Sequence, residues 1–310
     1  MRLNLAVMVL VLLASAGTAA QTLYKYRGEN GEWIYTDRPP ESGSVAEVRD
    51  LGPGNVATEF RVTHSVVGRV IEVRALNPWH VPVELTLDFE QISGVQLPHP
   101  DEKLRWVVPA LADQLLLNLD FLEEVDVPAV RYSYRYLPGD PAAQHAAGAA
   151  YRVPYAVGSG HRVTQAYPEV ITHTSPDSYY AVDIEMPVGT DIFAARGGVV
   201  FSVASNNFSG GTDIEEYGDK ANVVRILHDD GTYGIYAHLN RSSIRVRPGD
   251  VVERGDYIAD SGNTGFSSGP HLHFAVVRNG GMKIKSVPFS FSGPGPTAIV
   301  PSRGAVLTAY

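Results

Sequence analysis

The sequence predicts a mostly β protein of several domains, and three observations carry that expectation. Its 310 residues exceed the length that one hydrophobic core usually serves. With 30 Gly and 21 Pro the chain favours closely spaced turns over long helices. Apolar and polar residues alternate with period two in short runs: Val130, Tyr132, Tyr134 and Tyr136 with Arg131, Ser133 and Arg135, and Leu117, Leu119 and Phe121 with Asn118 and Asp120.

Taken in order, the chain opens with Arg2, an apolar run from Leu5 to Leu13 and the small residues Ala14 to Ala20. The run is too short to span a bilayer, and basic start, apolar middle and small-residue end are the layout of a secretory signal peptide over 1–20. Residues 21–56 are expected to hold a small hairpin module and a linker. Tyr24-Lys25-Tyr26 and Trp33-Ile34-Tyr35 flank a turn at Glu29-Asn30-Gly31, Asp37-Arg38-Pro39-Pro40 ends the hairpin, and a Ser/Gly/Pro-containing linker runs from about Glu41 to Val56. The module resembles one found on many exported proteobacterial proteins.

Residues 57–148 read as a β-sandwich of immunoglobulin-like size, with turns at Asn77-Pro78 and Leu137-Pro138-Gly139-Asp140 and an Ala-rich connector from Pro141 to Gly148. His64, His80 and His99 are scattered through it and read as surface or packing residues. Beyond Tyr151 the texture changes to Gly-rich turns between Val- and Ile-rich strands, and seven of the ten histidines lie after position 140. A C-terminal tail is expected over 297–310.

Composition narrows the partners. The absence of cysteine excludes a disulfide framework and a Cys-linked lipid anchor. Removing the leader takes away Arg2, so 34 acidic side chains face one fewer than the 25 basic ones, a formal charge of −10. That balance argues against nucleic acid or an anionic membrane as the partner.

Chemistry concentrates at Gly269-Pro270-His271-Leu272-His273-Phe274. Residues two apart on a strand share a face, so His271 and His273 present two imidazoles together while Leu272 and Phe274 point into a core. Two imidazoles and a carboxylate make a sound set for zinc that keeps an open position. His173, Asp183 and His238 are the upstream residues to be read with it, with His161 and Asp177 as the alternatives to the first two. Other segments carry plainer readings. His228 before Asp229-Asp230-Gly231 is a strand-end residue at a hairpin turn. Arg247 to Asp250 and Glu253 to Asp256 are two turns bracketing a short strand. Gly262-Asn263-Thr264-Gly265 lacks the Gly-Lys-Ser/Thr ending of a phosphate cradle and reads as a tight loop before His271.

Four elements occur in order: His173 to Ile184, containing Tyr179-Tyr180-Ala181-Val182-Asp183; Met186-Pro187-Val188-Gly189-Thr190 running to Ala194-Ala195-Arg196-Gly197-Gly198; Tyr236-Ala237-His238-Leu239; and Gly262-Asn263-Thr264-Gly265 to His271-Leu272-His273. Over about Val153 to Phe289 the chain resembles the lysostaphin-type, or LytM-like, zinc metallo-endopeptidases that cut peptide bonds in bacterial peptidoglycan. The resemblance implies an antiparallel β-sheet catalytic domain with a groove, over 149–296, holding one zinc ion. It implies His173, Asp183 and His273 as metal ligands and His238 and His271 as the catalytic pair. The family commonly spaces its first His and Asp four residues apart, where Asp177 stands; His173 and Asp183 are ten apart, which implies an insertion of six. Asp183 is favoured because the Pro-x-Gly-Thr and Ala-Ala-Arg-Gly-Gly framework follows it.

The implied function is that of an exported, periplasmic or secreted zinc metallo-endopeptidase with peptidoglycan cross-links as substrate and a D,D-endopeptidase reaction as the first expectation. No membrane anchor is expected after signal cleavage. Tyr179, Tyr180 and the segment Ser202 to Lys220 are expected to wall the groove. The rival reading is a non-catalytic envelope protein that binds wall material or activates another hydrolase.

Overall fold

The computed structural model describes residues 22–27, 33–36, 45–50, 59–97, 103–123, 127–146, 148 and 151–310. The expected signal peptide, the Glu29-Asn30-Gly31 turn and His99 lie outside them. The chain divides into two compact units, Met1–Glu59 and Phe60–Tyr310. In the first, Thr22–Arg27 and Trp33–Thr36 pair antiparallel from Tyr24 opposite Thr36 to Arg27 opposite Trp33. A third strand, Val45–Asp50, pairs with the other edge of Thr22–Arg27. The stretch expected as linker thus contains a strand: Val45 and Val48 supply β-forming residues between the acidic and basic ones.

The second unit begins with two facing antiparallel sheets. One orders Arg61–Val67, Val70–Leu76, Asp113–Phe121 and Val95–Gln96; the other Ala129–Pro138, Val83–Ser93 and Leu104–Val108. Ile71, Val73 and Ala75 alternate inward from the first, Val83, Leu85 and Leu87 from the second, and all six are essentially buried. Each such valine, leucine or isoleucine contributes roughly 1.5–3 kcal/mol by burial. The hairpin at Val67 and Val70 closes through Gly68, whose φ of 62° lies where a Cβ is disfavoured.

The expected turn at Leu137-Pro138-Gly139-Asp140 differs from the structure, and the one at Asn77-Pro78 falls between two strands. Leu137 and Pro138 remain in strand, and Gly139 bridges to Val83, because the run from Ala129 stays paired with Val83–Ser93 to its end. Asn77 is fully buried, and its amide donates to the carbonyls of Val81 and Pro109 at 2.9 and 2.8 Å, so this polar side chain braces the bend from inside.

The sandwich packs on the C-terminal part of the same unit. Trp79 and Val81 join Ala181, Phe201, Tyr233, Ala275 and Val277 in one apolar cluster. Beside it the buried Glu84 pairs with Arg105 and accepts from Asn279 Nδ2 and from the Met282 amide, each at 2.7 Å.

A nine-stranded antiparallel sheet forms the C-terminal part. Its order is Val251–Val252, Gly198–Ala204, Val223–Leu227, Tyr233–Ala237, His271–Asn279, Val182–Glu185, Gly160–Gln165, Val306–Thr308, with Ile284–Ser286 also paired to His271–Asn279. Val306–Thr308 makes the stretch expected as a tail an edge of this sheet. Leu272, Phe274 and Val276 point into its core, which Tyr151, Tyr155, Tyr236 and Phe291 fill with large rings. Asp250 and Asp256 close their turns by accepting from the Arg247 and Glu253 amides, on either side of Val251–Val252. No helix of the described residues is long and apolar enough to cross a membrane.

Candidate active site

The central strand sets the site by register. His273 lies directly across from Asp183 on one side and Ala237 on the other, and opposed residues of antiparallel strands share a face. His273 Nδ1 lies 2.9 Å from Asp183 Oδ1. His173, on the loop before Val182–Glu185, brings Nε2 to 3.2 Å from Asp183 Oδ2, and its ring stands edge-on to His273 with centroids 4.8 Å apart. The His173 Nδ1 faces the Ala181 carbonyl at 3.3 Å, which leaves Nε2 as the nitrogen with a free lone pair.

The ten-residue spacing between His173 and Asp183 closes on itself. The Tyr179 amide donates to the Ser175 carbonyl at 3.0 Å and the Ala181 amide to Ser178 at 2.7 Å, so the extra residues form turns rather than separating the two side chains. Asp177 lies exposed in those turns, where the Ser175 hydroxyl donates to it. His161 packs edge-on against Tyr155 at 4.7 Å. The structure therefore gathers His173 with Asp183 and His273 and leaves His161 and Asp177 outside.

His238 and His271 complete the cluster. His238 follows the strand Tyr233–Ala237 with φ at 61°, an unusual value for a residue with a side chain, which costs about 1–3 kcal/mol. Its Nδ1 faces the Thr264 carbonyl at 2.7 Å. Thr264 is held in turn: its hydroxyl donates to the Leu239 carbonyl and accepts from the Asn222 amide, both at 2.9 Å. A Cβ on Gly265 would meet Ala221 N at 2.6 Å, so only glycine lets the loop approach this closely. The Gly-Asn-Thr-Gly loop, expected to deliver the His271 strand, thus also orients His238. His271 Nδ1 faces the Gly269 carbonyl at 2.8 Å, and its Nε2 lies 3.8 Å from Asp183 Oδ1. The two rings stand 4.5 Å apart.

Electrostatics follow from this packing. Burial alone raises the pKa of Asp183, but hydrogen bonds and charge from His173 and His273 outweigh it and hold the carboxyl well below the usual carboxylate range. Burial, helped by the flanking His271 and His273, pushes His238 down to about 3. Asp183 is then an anion and His238 a neutral ring at neutral pH.

The donor atoms of His173, Asp183 and His273 lie within 4.8 Å of one another. Two imidazole nitrogens and a carboxylate at that span fit a single metal ion. A further residue supports the site that sequence reasoning missed. Gln165 lies opposite Asp183 on the neighbouring strand and donates to its Oδ2 at 2.7 Å. The signal was present: Gln165 is in phase with the buried Val163, which puts a polar amide on the inward face of a strand.

Of the expected wall residues, Tyr179 and Tyr180 pack with Tyr167 in a trio of rings 5.0–5.2 Å apart, with Tyr167 and Tyr179 well exposed. Between Ser202 and Lys220, Gly210–Gly211 pairs with Gly265–Phe266, and exposed Phe208 lies under the Arg241 guanidinium at 4.8 Å.

Comparison with known proteins covers the part of the chain that carries these residues. Residues 177–285 match Peptidase family M23, and residues 10–59 match a domain of unknown function, DUF4124. Residues 177–285 are thus similar to a peptidase family M23 domain, a span that takes in Asp183, His238, His271 and His273 and begins four residues after His173. The chain is 33% identical over 102 residues to lysostaphin of Staphylococcus simulans, covering 33% of this chain and 18% of that protein. It is 36% identical over 98 residues to the peptidoglycan DD-endopeptidase ShyA of Vibrio cholerae, covering 32% of this chain and 20% of that one. The chain thus spans about a fifth of the length of these relatives. A solved structure, the catalytic domain of the prophage-encoded M23 protein EnpA from Enterococcus faecalis, is 29% identical with a TM-score of 0.32, over 43% of this chain and 92% of that one.

Proposed function

We propose that the protein is an exported zinc metallo-endopeptidase that hydrolyses peptide cross-links of peptidoglycan, with D,D-linked peptides as its substrate. The observation that carries this reading is the single cluster of His173, Asp183 and His273 with His238 and His271 alongside. His173, Asp183 and His273 hold the zinc. When bound, zinc supplies Lewis acidity, which lowers the pKa of a water toward neutrality and polarises the scissile carbonyl.

His238 and His271 move the protons. In each ring Nδ1 is engaged by a backbone carbonyl, so neutral His238 presents the lone pair of Nε2, and His271 does the same when neutral. Each neutral ring can accept a hydrogen bond from the attacking water and orient it, burial leaving His238 a weak base. A ring that takes the proton can then as an imidazolium donate to the developing oxyanion and to the leaving amine. Resemblance to a DD-endopeptidase supports the choice of bond, and the signal-like sequence of residues 1–20 supports export.

The test is digestion of purified peptidoglycan by zinc-loaded protein, with products identified by mass spectrometry. Release of muropeptides cut at D,D cross-links supports the proposal. No change in soluble muropeptides refutes it in favour of a wall-binding or activating role.

A further inference from the structure

Gln165 makes more contacts to the site than support of one carboxylate requires. It is buried, 5% exposed, at the end of the strand Gly160–Gln165, where a register shift turns it toward Asp183. Its Nε2 donates to Asp183 Oδ2 at 2.7 Å and to the Thr172 hydroxyl at 3.0 Å. Its oxygen accepts from the amides of Ile171, Thr172 and His173 at 2.5, 2.6 and 3.3 Å. The sense of the amide is fixed, since a flip would set its oxygen against the carboxylate and its NH₂ against three N–H donors.

We infer that Gln165 is a positioning residue that holds the metal ligands His173 and Asp183 in register across the long segment between them, and so sets the affinity of the site for its metal. The inference rests on the proposed metal centre. His173 sits on a loop and Asp183 on a strand, ten residues apart in sequence. One amide binds the backbone of the first and the carboxylate of the second. The two contacts use opposite ends of the side chain, so neither ligand can drift from its place without breaking a buried hydrogen bond. The intervening segment holds His173 Nδ1 through the Ala181 carbonyl, but the Asp183 carboxylate is bonded by Gln165, His173 and His273 and by no residue between the two ligands. A site built from a loop ligand needs this support, because loops without it hold side chains less accurately than strands do.

The experiment measures zinc affinity of the full chain by competition with a chromophoric chelator, for wild type, Gln165→Met, Gln165→Asn, Val163→Ala and Asp183→Ala, with thermal unfolding of each variant recorded alongside. Met keeps the volume and loses every hydrogen bond; Asn keeps the amide but is one methylene too short to span both partners. Val163→Ala weakens the same strand at a buried core position that pairs with Ile184 rather than with a ligand. The expected result is a loss of about 10- to 100-fold in zinc affinity for both Gln165 variants, the usual size for removal of a partner that orients a ligand, with Val163→Ala close to wild type. If Gln165→Met fails to fold, Gln165→Asn carries the test. Wild-type affinity in a folded Gln165 variant, beside lost zinc in Asp183→Ala, overturns the inference and leaves the metal centre standing. An equal loss in Val163→Ala overturns it too, since general loosening then accounts for the effect. Failure of the wild type to take up zinc removes the metal centre and the inference together.

Discussion

Acid should weaken this fold through a histidine that plays no part in the proposed chemistry. His228 is 3% exposed, its Nδ1 faces the Gly197 carbonyl at 2.9 Å, and its Nε2 has no hydrogen-bond partner. Burial pushes its pKa from 6.5 down to about 4, with Arg196 lowering it further and the Gly197 bond, Asp230 and Asp229 opposing. The folded value lies below the unfolded one, so the unfolded chain takes up the proton first. There is no penalty above pH 6.5, and stability falls as the pH drops from there toward 4. At about 1.4 kcal/mol per pH unit that gap amounts to about 3 kcal/mol in full, of which about 2.5 kcal/mol is lost by pH ~4.5. In His228→Asn the amide nitrogen can still donate to Gly197 and nothing titrates. Denaturant unfolding in the presence of chelator, at about pH 7.5 and about pH 4.5, should show the wild type losing about 2.5 kcal/mol more than the variant over that interval. Equal losses would refute the reasoning.

Three further outcomes are expected. His238→Ala and His271→Ala should each retain zinc yet reduce turnover by roughly 10²- to 10⁴-fold on a cross-linked muropeptide, and loss of zinc from either would move that residue among the ligands. Glu84→Ala removes the buried acceptor of Asn279 Nδ2 and the Met282 amide and the partner of the half-exposed Arg105, and should destabilise the unit by about 1–3 kcal/mol in denaturant unfolding, where no measurable change would show that the contact is dispensable. Shortening the chain between Asn206 and Asp219 removes Phe208 from its place under Arg241 and should alter the choice among cross-link peptides in product analysis; an unchanged product pattern counts against a role in the groove wall.

The candidate site was legible where it depended on strand periodicity. His271 and His273 share a face because they are two apart, and Leu272 and Phe274 enter the core for the same reason. The choice of Asp183 over Asp177 came from the framework downstream of it, and the strand pairing that puts Asp183 opposite His273 gives that choice its physical cause. Contacts between distant segments were not legible. Gln165 shows only as a polar residue in an inward phase, and its partners at 171–173 and 183 become neighbours only when the sheet forms. The strand Val45–Asp50 was hidden by its mixture of charges, and the Leu137-Pro138-Gly139 segment by turn-forming residues that stay in strand because their neighbour along Val83–Ser93 pairs with them. Asn77 read only as part of a turn, and its burial follows from the backbone carbonyls of Val81 and Pro109 that its amide satisfies.

The most direct test of the account is the zinc content of purified wild type, His173→Ala, Asp177→Ala, Asp183→Ala and His273→Ala by elemental analysis after dialysis against a zinc-buffered solution. The structure gathers His173, Asp183 and His273 and leaves Asp177 exposed in a turn. Wild type and Asp177→Ala should therefore carry one equivalent of zinc, and the other three variants should have lost it. Loss of zinc from Asp177→Ala with retention by Asp183→Ala would contradict the account.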